Sequence, residues 1–491
     1  MVKNYAFAKK EQHYRYTLTS FVNSLESSKS DLSVKEGERQ RSADDLETIL
    51  KKVMTSLLNP EGGLPSEQYK KFHSYLRQAL NCEEYRQALA LKHIDASLSA
   101  NIDLLHHLCL YFFTGINIHE FCAQLVKDMQ EGNLLENAVP LQNPADLERD
   151  LKQSFTDVKR IVDSQKTYDP SYWWYYVKDQ INLGFDPFAQ GNLPNVLFKT
   201  RYRLENGKEK DVLNIRCGTP TYEDLFSIVC GEAEVNPEFR GYLEACRRFG
   251  KKHLYVNLQN RNPRFLWKNE APRCKAIENL QGDFQDVLTV IGLSKDSPFY
   301  MQNDGYIEQN EVDKFKSEFF KQMFEVKVSW FYFPDSLLND GEIDFREEVA
   351  NLIEDVHSTL FEGNEMLDRQ ERLDFIEIVY VLIIELIIFK SGSDFYNTSC
   401  KDCIDRAGGM NSLLALSQNL RQMEGDGGID YKDLAAITFA PAVLVRQREI
   451  KFDRLERLIS SAKKMIETKE SSLFRESKWT NGWKVKNVFV Y

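Results

Sequence analysis

The chain has 491 residues, enough for two or three domains and a sizeable core. Hydrophobic residues make up 42% and charged residues 28%, the balance of an ordinary soluble protein, which sets aside fibrous and low-complexity classes. A net charge of −11 argues against a general nucleic-acid binder, which would carry a basic face.

Residues 1–165 read as a helical lobe. Residues 27–45 are polar and read as a loop, after which Leu46, Ile49, Leu50, Val53, Met54 and Leu57 recur at helical spacing. Asn59-Pro-Glu-Gly-Gly-Leu-Pro65 breaks the chain, and Tyr69, Phe72, Tyr75, Leu76 and Leu80 form the next apolar stripe. Residues 102–113 are apolar nearly all round, so a buried helix is expected; 118–129 and 147–162 continue the pattern. His106, His107 and His119 read as core or surface histidines rather than metal ligands, and no metal or cofactor is expected anywhere in the chain. The block is expected to be a helical bundle, a support or a surface for a protein partner.

The composition changes near Asp169-Pro170. From there the pattern alternates: strands at 196–204 and 212–217 joined by the hairpin turn Asn206-Gly207, strands at 253–258 and 324–333, and helical runs at 222–229, 313–323 and 347–361. The aromatic run at 172–177 reads as a seam between lobes, with a membrane-facing patch as the alternative. Residues 376–389 are strongly apolar but short and carry Glu377 and Glu385, so a buried core helix is expected rather than a membrane span. The basic cluster Arg247-Arg-Phe-Gly-Lys-Lys252 reads as a solvated face, or as a contact with anionic lipid. Further on, a helix is expected at 431–439, an interruption at Pro441, a long helix from 445 to about 470 and a terminal hairpin or strand within 479–491. This predicts an α/β (α+β) domain over 166–491, with a C-terminal helical extension, behind the helical lobe of 1–165.

The nine cysteines, at 82, 109, 122, 217, 230, 246, 274, 400 and 403, have no framework spacing and read as free thiols of a reducing compartment. The first ten residues lack an apolar h-region, so no Sec-type signal is expected. A cytosolic protein that meets membranes peripherally fits.

Chemistry concentrates in Asp394-Phe-Tyr-Asn-Thr-Ser-Cys-Lys-Asp-Cys-Ile-Asp-Arg-Ala-Gly-Gly-Met410, where five residues separate Cys400 from Arg406. A cysteine at the end of a short strand, a tight loop and a helix starting at the arginine would trap phosphate, through inward amides, the positive helix end and a planar guanidinium. The same field favours a thiolate at Cys400. Other readings of the spacing are a zinc or redox pair at Cys400 and Cys403, or a plain structural turn. No second C-x-x-C or H-x3–5-H accompanies the pair to complete a zinc site.

The residues Cys400-Lys-Asp-Cys-Ile-Asp-Arg406 resemble the C-x-D-C-x-D-R signature of Sac phosphoinositide phosphatases, and are similar to the C-x-D-x-x-D-R loop of myotubularins. The Cys-Lys start and Arg-x-Gly finish look like the loops of effector inositide phosphatases of intracellular bacteria, the SidP type above all, a resemblance that implies delivery into a host cell by a route without a signal peptide. The resemblance covers residues 394–410. It implies a cysteine-phosphatase-like fold and removal of a ring phosphate, the 3-phosphate of phosphatidylinositol 3-phosphate and of the 3,5-bisphosphate. It also implies Cys400 as nucleophile, Arg406 on the phosphoryl oxygens, Asp405 as proton donor and Asp402 ordering water or loop. Lys401 is implied as a contact to a second ring phosphate, with Cys403, Ile404 and Ala407 lining the cradle. Arg446, Arg448 and Lys451 are expected to face the pocket, since inositide headgroups carry several charges. Asp335, after Trp330-Phe-Tyr-Phe-Pro, is the alternative proton donor. The families place Thr or Ser after the arginine; here it is Ala407, which puts leaving-group stabilisation on Ser399, Asn411 or Ser412. A tyrosine or dual-specificity phosphatase, and a non-catalytic phosphate-binding scaffold, are the competing functions.

Overall fold

The computed structural model describes residues 5–28, 31–37, 45–58, 63–91, 93–130, 141, 143–166, 185–223, 232–262, 270–325, 330–338, 344–422, 428–469, 471, 473 and 483–490. Nine strands are described among these: β1 (Asn195–Arg203), β2 (Glu209–Arg216), β3 (Thr221–Tyr222), β4 (Glu234–Val235), β5 (His253–Asn257), β6 (Leu288–Leu293), β7 (Phe331–Tyr332), β8 (Phe395–Ser399) and β9 (Lys484–Val490). Seven form one mixed sheet in the order β7-β6-β5-β8-β2-β1-β9, and β3 and β4 pair separately. The chain is therefore mixed α/β.

Local chemistry explains the pieces. β1 and β2 form the antiparallel hairpin that Asn206-Gly207 anticipates, with Gly207 at φ +76°. β5 and β8 are buried at every position, as central parallel strands must be when both faces are covered. The Arg369–Ser391 helix starts with a reciprocal cap between Asp368 and Glu371 and stops at Gly392, whose φ of +61° suits a left-handed helix end. All its residues from Arg372 to Phe389 are buried, Glu377 and Glu385 included. Among the described residues no helix is long and apolar enough to cross a membrane.

The N-terminal block is helical as expected, from Tyr5–Ser27 through Pro144–Lys166. It shares one hydrophobic core with the sheet. Phe113 packs on Tyr242 with ring centroids 4.7 Å apart. His119 meets Asp433 at 2.8 Å and Ser154 meets Tyr431 at 2.6 Å, so the block is fastened to the helix Tyr431–Arg446. His106 is a core residue, bonded to Tyr85 and held neutral near pKa 4 by burial.

Some expectations fail for identifiable reasons. Phe324 ends the helix Val312–Phe324 and β7 covers Phe331–Tyr332; residues 326–329 of the strand expected over 324–333 lie outside the described residues. Tyr222 lies in β3, and residues 224–229 of the helix expected there lie outside the described residues. Pro441 sits inside the helix Tyr431–Arg446 rather than ending a helix before it. The missing amide costs about 3 kcal/mol in a helix interior, and burial of Leu434 to Ala442 outweighs it. The long helix expected from 445 is instead Phe452–Glu467, after a left-handed Gln447. β6 and the helices Pro237–Arg248 and Glu270–Asp283 were not anticipated. The aromatic run at 172–177 and Cys230 lie outside the described residues; the eight described cysteines are free and buried.

Candidate active site

The strand order sets the site. β2, β8, β5 and β6 run parallel, so their C-terminal ends share one edge of the sheet. β8 is the middle strand of the seven, and Cys400 follows it directly. Five residues later the helix Asp405–Leu420 begins, with Arg406 in its first turn. Ile404 precedes it and no side chain caps it, which leaves the first-turn amides facing the loop.

The loop is held from outside. The Lys401 carbonyl accepts from the Thr219 amide at 3.1 Å. The Asp402 carbonyl accepts from Asn192 Nδ2 at 3.1 Å and Arg216 Nη2 at 3.3 Å. A trans peptide sets N–H opposite C=O. The outward Lys401 carbonyl therefore turns the Asp402 amide inward. Cys403 closes the turn with its amide on the Cys400 carbonyl at 3.2 Å, at the left-handed φ of +54°. Gly218 lies against this wall, and a Cβ there would stand 2.8 Å from Asn192 Nδ2 and 3.1 Å from the Lys401 carbonyl.

Arg406 is set by two carboxylates that sequence reasoning missed. Its Nη1 donates to Asp296 Oδ2 at 2.6 Å and to Glu270 Oε2 at 3.1 Å, with the Leu258 carbonyl at 3.5 Å. Its Nη2 donates to Glu270 Oε1 at 2.7 Å. A guanidinium carries five N–H donors in a fixed plane. These contacts engage both donors on Nη1 and one on Nη2. Among the described residues nothing accepts from Nε–H or from the second Nη2–H. Those two lie on one edge of the plane, the edge that takes a phosphate in bidentate fashion. Burial opposes the charge on Glu270, but Arg406 prevails and holds the carboxyl down at about 2. Asp296 also pairs with Arg454, so one acid spans two guanidinium groups. Behind them Lys295, lowered to about 8 by burial, donates to Glu377 at 2.9 Å and to the Arg406 carbonyl at 3.5 Å.

The anticipated residues gather at the loop, with altered roles for some. Asp402 is bonded to Arg446 at 2.7 to 3.0 Å, and Asp405 to Arg448 at 2.7 and 2.9 Å and to the Lys451 amide at 3.0 Å. The two arginines therefore reach the pocket through the loop's own acids. Burial alone would raise the Asp405 pKa, but Arg448 and Lys451 bring it below the usual carboxylate range. That charge state is the wrong one for a proton donor in the unliganded protein. Lys401 Nζ lies 5.6 Å from the Phe185 ring centre. Cys403 is 1% exposed, donates to the Thr398 carbonyl and is pushed up to about 12 by burial, so it remains a thiol. Ile404 and Ala407 are buried under the loop. Among the described residues no hydroxyl bonds Cys400 Sγ: Ser399 donates to the Cys217 and Cys400 carbonyls, Ser412 to the Gly408 carbonyl, and Asn411 contacts Cys403.

Two anticipated groups are not brought in. β7 runs antiparallel to β6 and leads Asp335 away from the edge that holds Cys400. The basic cluster at 247–252 precedes β5, on the opposite edge, and is engaged there with Asp286, Asp103 and Asp394. Comparison with family models, curated proteins and solved structures finds no match to this chain.

Proposed function

We propose that the chain is a cysteine-dependent phosphatase acting on phosphoinositides. One observation carries this reading: Arg406 is locked by Glu270 and Asp296 so that its Nε/Nη2 edge has no acceptor among the described residues, beside an uncapped helix start and within electrostatic reach of Cys400. In the first step Cys400 sulfur attacks phosphorus, a phosphorus–sulfur bond forms and the ester oxygen leaves with a proton. In the second, water attacks phosphorus, the phosphorus–sulfur bond breaks and phosphate departs. Arg406 and the loop amides hold the phosphoryl oxygens through both. Asp405 becomes a proton donor when a ring phosphate draws Arg448 away from it, because the loss of that cation raises its pKa. The ring position expected is the 3-phosphate, in the monophosphate and the 3,5-bisphosphate, at a membrane surface.

A second reading has its own observation. Ala407 offers no hydroxyl, and nothing described replaces it at Cys400, as in a scaffold that binds phosphate without cleaving it. Incubation with short-chain phosphoinositides and phosphotyrosine peptides, with phosphate release as the readout, separates the cases. Release from inositides alone supports the proposal. Release from peptides alone reassigns the enzyme to tyrosine phosphatases, and binding without release makes it a scaffold.

A further inference from the structure

Arg216, at the end of β2, is 4% exposed and makes no ion pair among the described residues. Its Nη1 donates to the Leu193 carbonyl at 3.0 Å and to Asn195 Oδ1 at 3.4 Å. Its Nη2 donates to Asn192 Oδ1 and to the Asp402 carbonyl. All four acceptors are neutral. Its Nε is buried without a partner, and the residue lines a cavity of about 20 Å³, room for one or two water-sized bodies. The histidine and cysteines around it bring no negative charge at neutral pH. His13, across the cavity, is held neutral by burial, by Arg216 itself and by Lys10, at a pKa of about 3. Burial pushes Cys122 and Cys403 up to about 12 and Cys217 well above the usual thiol range. The Asp402 carboxylate is turned to Arg446. A buried guanidinium without a counter-charge is costly to keep, so its place behind the loop calls for an anion that arrives later.

We infer that Arg216 is a positioning residue of the phosphate site, a rear cation whose missing counter-charge is the substrate's phosphoryl group on the other side of the loop. Among the described residues Arg216 hydrogen-bonds the loop at the Asp402 carbonyl, whose peptide continues into the Cys403 amide that closes the turn on the Cys400 carbonyl, so its influence reaches the site as a charge behind the loop and through the turn it fixes. Asn192 makes the same hydrogen bond without a charge, and so serves as the internal control. The inference rests on the phosphatase reading for its ligand, but its test reads oxyanion binding and not turnover.

The experiment measures binding of inorganic phosphate and of tungstate by calorimetry on the full chain. Arg216→Met is expected to weaken both by tenfold or more, with a steeper loss for the dianion as pH rises through the second ionisation of phosphate. Arg216→Lys is expected to recover most of the affinity, and Asn192→Ala to stay within about threefold of wild type. An Asn192→Ala loss equal to that of Arg216→Met would overturn the inference, because it would reduce Arg216 to loop scaffolding. So would a failure of Arg216→Lys to recover affinity while melting like wild type. If Arg216→Met does not fold, Arg216→Lys and Arg216→Gln are compared: equal affinities overturn the proposal, and tighter binding by the lysine variant supports it. Wild-type binding with no turnover on any substrate would defeat the phosphatase reading and leave the rear cation standing.

Discussion

Replacing Glu270 by Gln tests whether the locked arginine is what makes the site. Glu270 is 12% exposed in its side chain, meets Arg406 with both oxygens and also accepts the Asn260 amide at 2.8 Å. Glutamine keeps the shape, removes the charge and turns an N–H₂ toward a guanidinium that has nothing to accept it. The depression of the Glu270 pKa from 4.5 to about 2 corresponds to about 3 kcal/mol of folding free energy. The sign follows from the direction. The carboxyl is more acidic folded than unfolded, so this stabilisation is complete above pH 4.5 and is lost as the pH falls toward 2. Urea unfolding at pH 7 is therefore expected to show Glu270→Gln weaker by about 3 kcal/mol, with the gap to wild type closing between pH 4.5 and the acid end. Phosphate release is expected to drop about 100-fold in kcat/KM, the cost of a guanidinium misplaced by an ångström or so. A stability gap that does not change with pH would mean the loss is steric, and an unchanged kcat/KM would refute the claim that Glu270 aims Arg406.

Cys400→Ser is expected to abolish phosphate release without lowering the melting temperature, and residual release near wild type would rule out the cysteine mechanism. Cys403→Ser keeps a donor for the Thr398 carbonyl and is expected to cost less than about 1.5 kcal/mol in urea unfolding and to retain most activity; equal loss at both cysteines would favour a redox or metal pair. Asp405→Asn is expected to slow inositide cleavage far more than aryl phosphate cleavage, since only a basic leaving oxygen needs an acid; equal losses would leave Asp405 a purely structural partner of Arg448. Gly218→Ala pushes a methyl group against Asn192 and the Lys401 carbonyl. It is expected to cost about 1–3 kcal/mol in thermal unfolding and to weaken phosphate binding, and a variant that binds phosphate normally would show that the loop's outer wall is free to shift.

The loop could be read from sequence because its logic is local: strand, cysteine, turn and helix follow one another within residues 395–420, and so do the Asn206-Gly207 hairpin and the buried helix around 376–389. Glu270 and Asp296 could not, because one opens a helix and the other follows a strand end, both far from the loop in sequence, and neither carries a local signature. Asp296 follows β6, whose run Leu288-Thr-Val-Ile-Gly-Leu293 is short and apolar; its Thr, Val and Ile were the signal available, and recognising it would have put an acid at the same sheet edge as Cys400. Glu270 opens a helix whose apolar residues are not gathered into a clear stripe. Pro441 misled for a different reason: helix breaking is a propensity, and a fully buried helix face overrides it. The arginines at 446 and 448 were expected to face the pocket; the structure pairs them with Asp402 and Asp405, an arrangement that depends on a turn at Gln447 that the sequence does not advertise.

The strand order also governs when the protein can acquire a site during synthesis. β2 and β5 are made early but are not neighbours; β8, made some 180 residues after β2 by its pairing of Leu213 with Phe395, slots between them. Until it does, the ribosome holds two half-sheets with raw central edges, the template on which unfinished chains stick to one another. A nascent or truncated chain ending before residue 395 thus has neither Cys400 nor a closed sheet. The same insertion that joins the halves carries Cys400 into its buried place at the sheet edge, so a closed sheet and a shielded Cys400 arrive together.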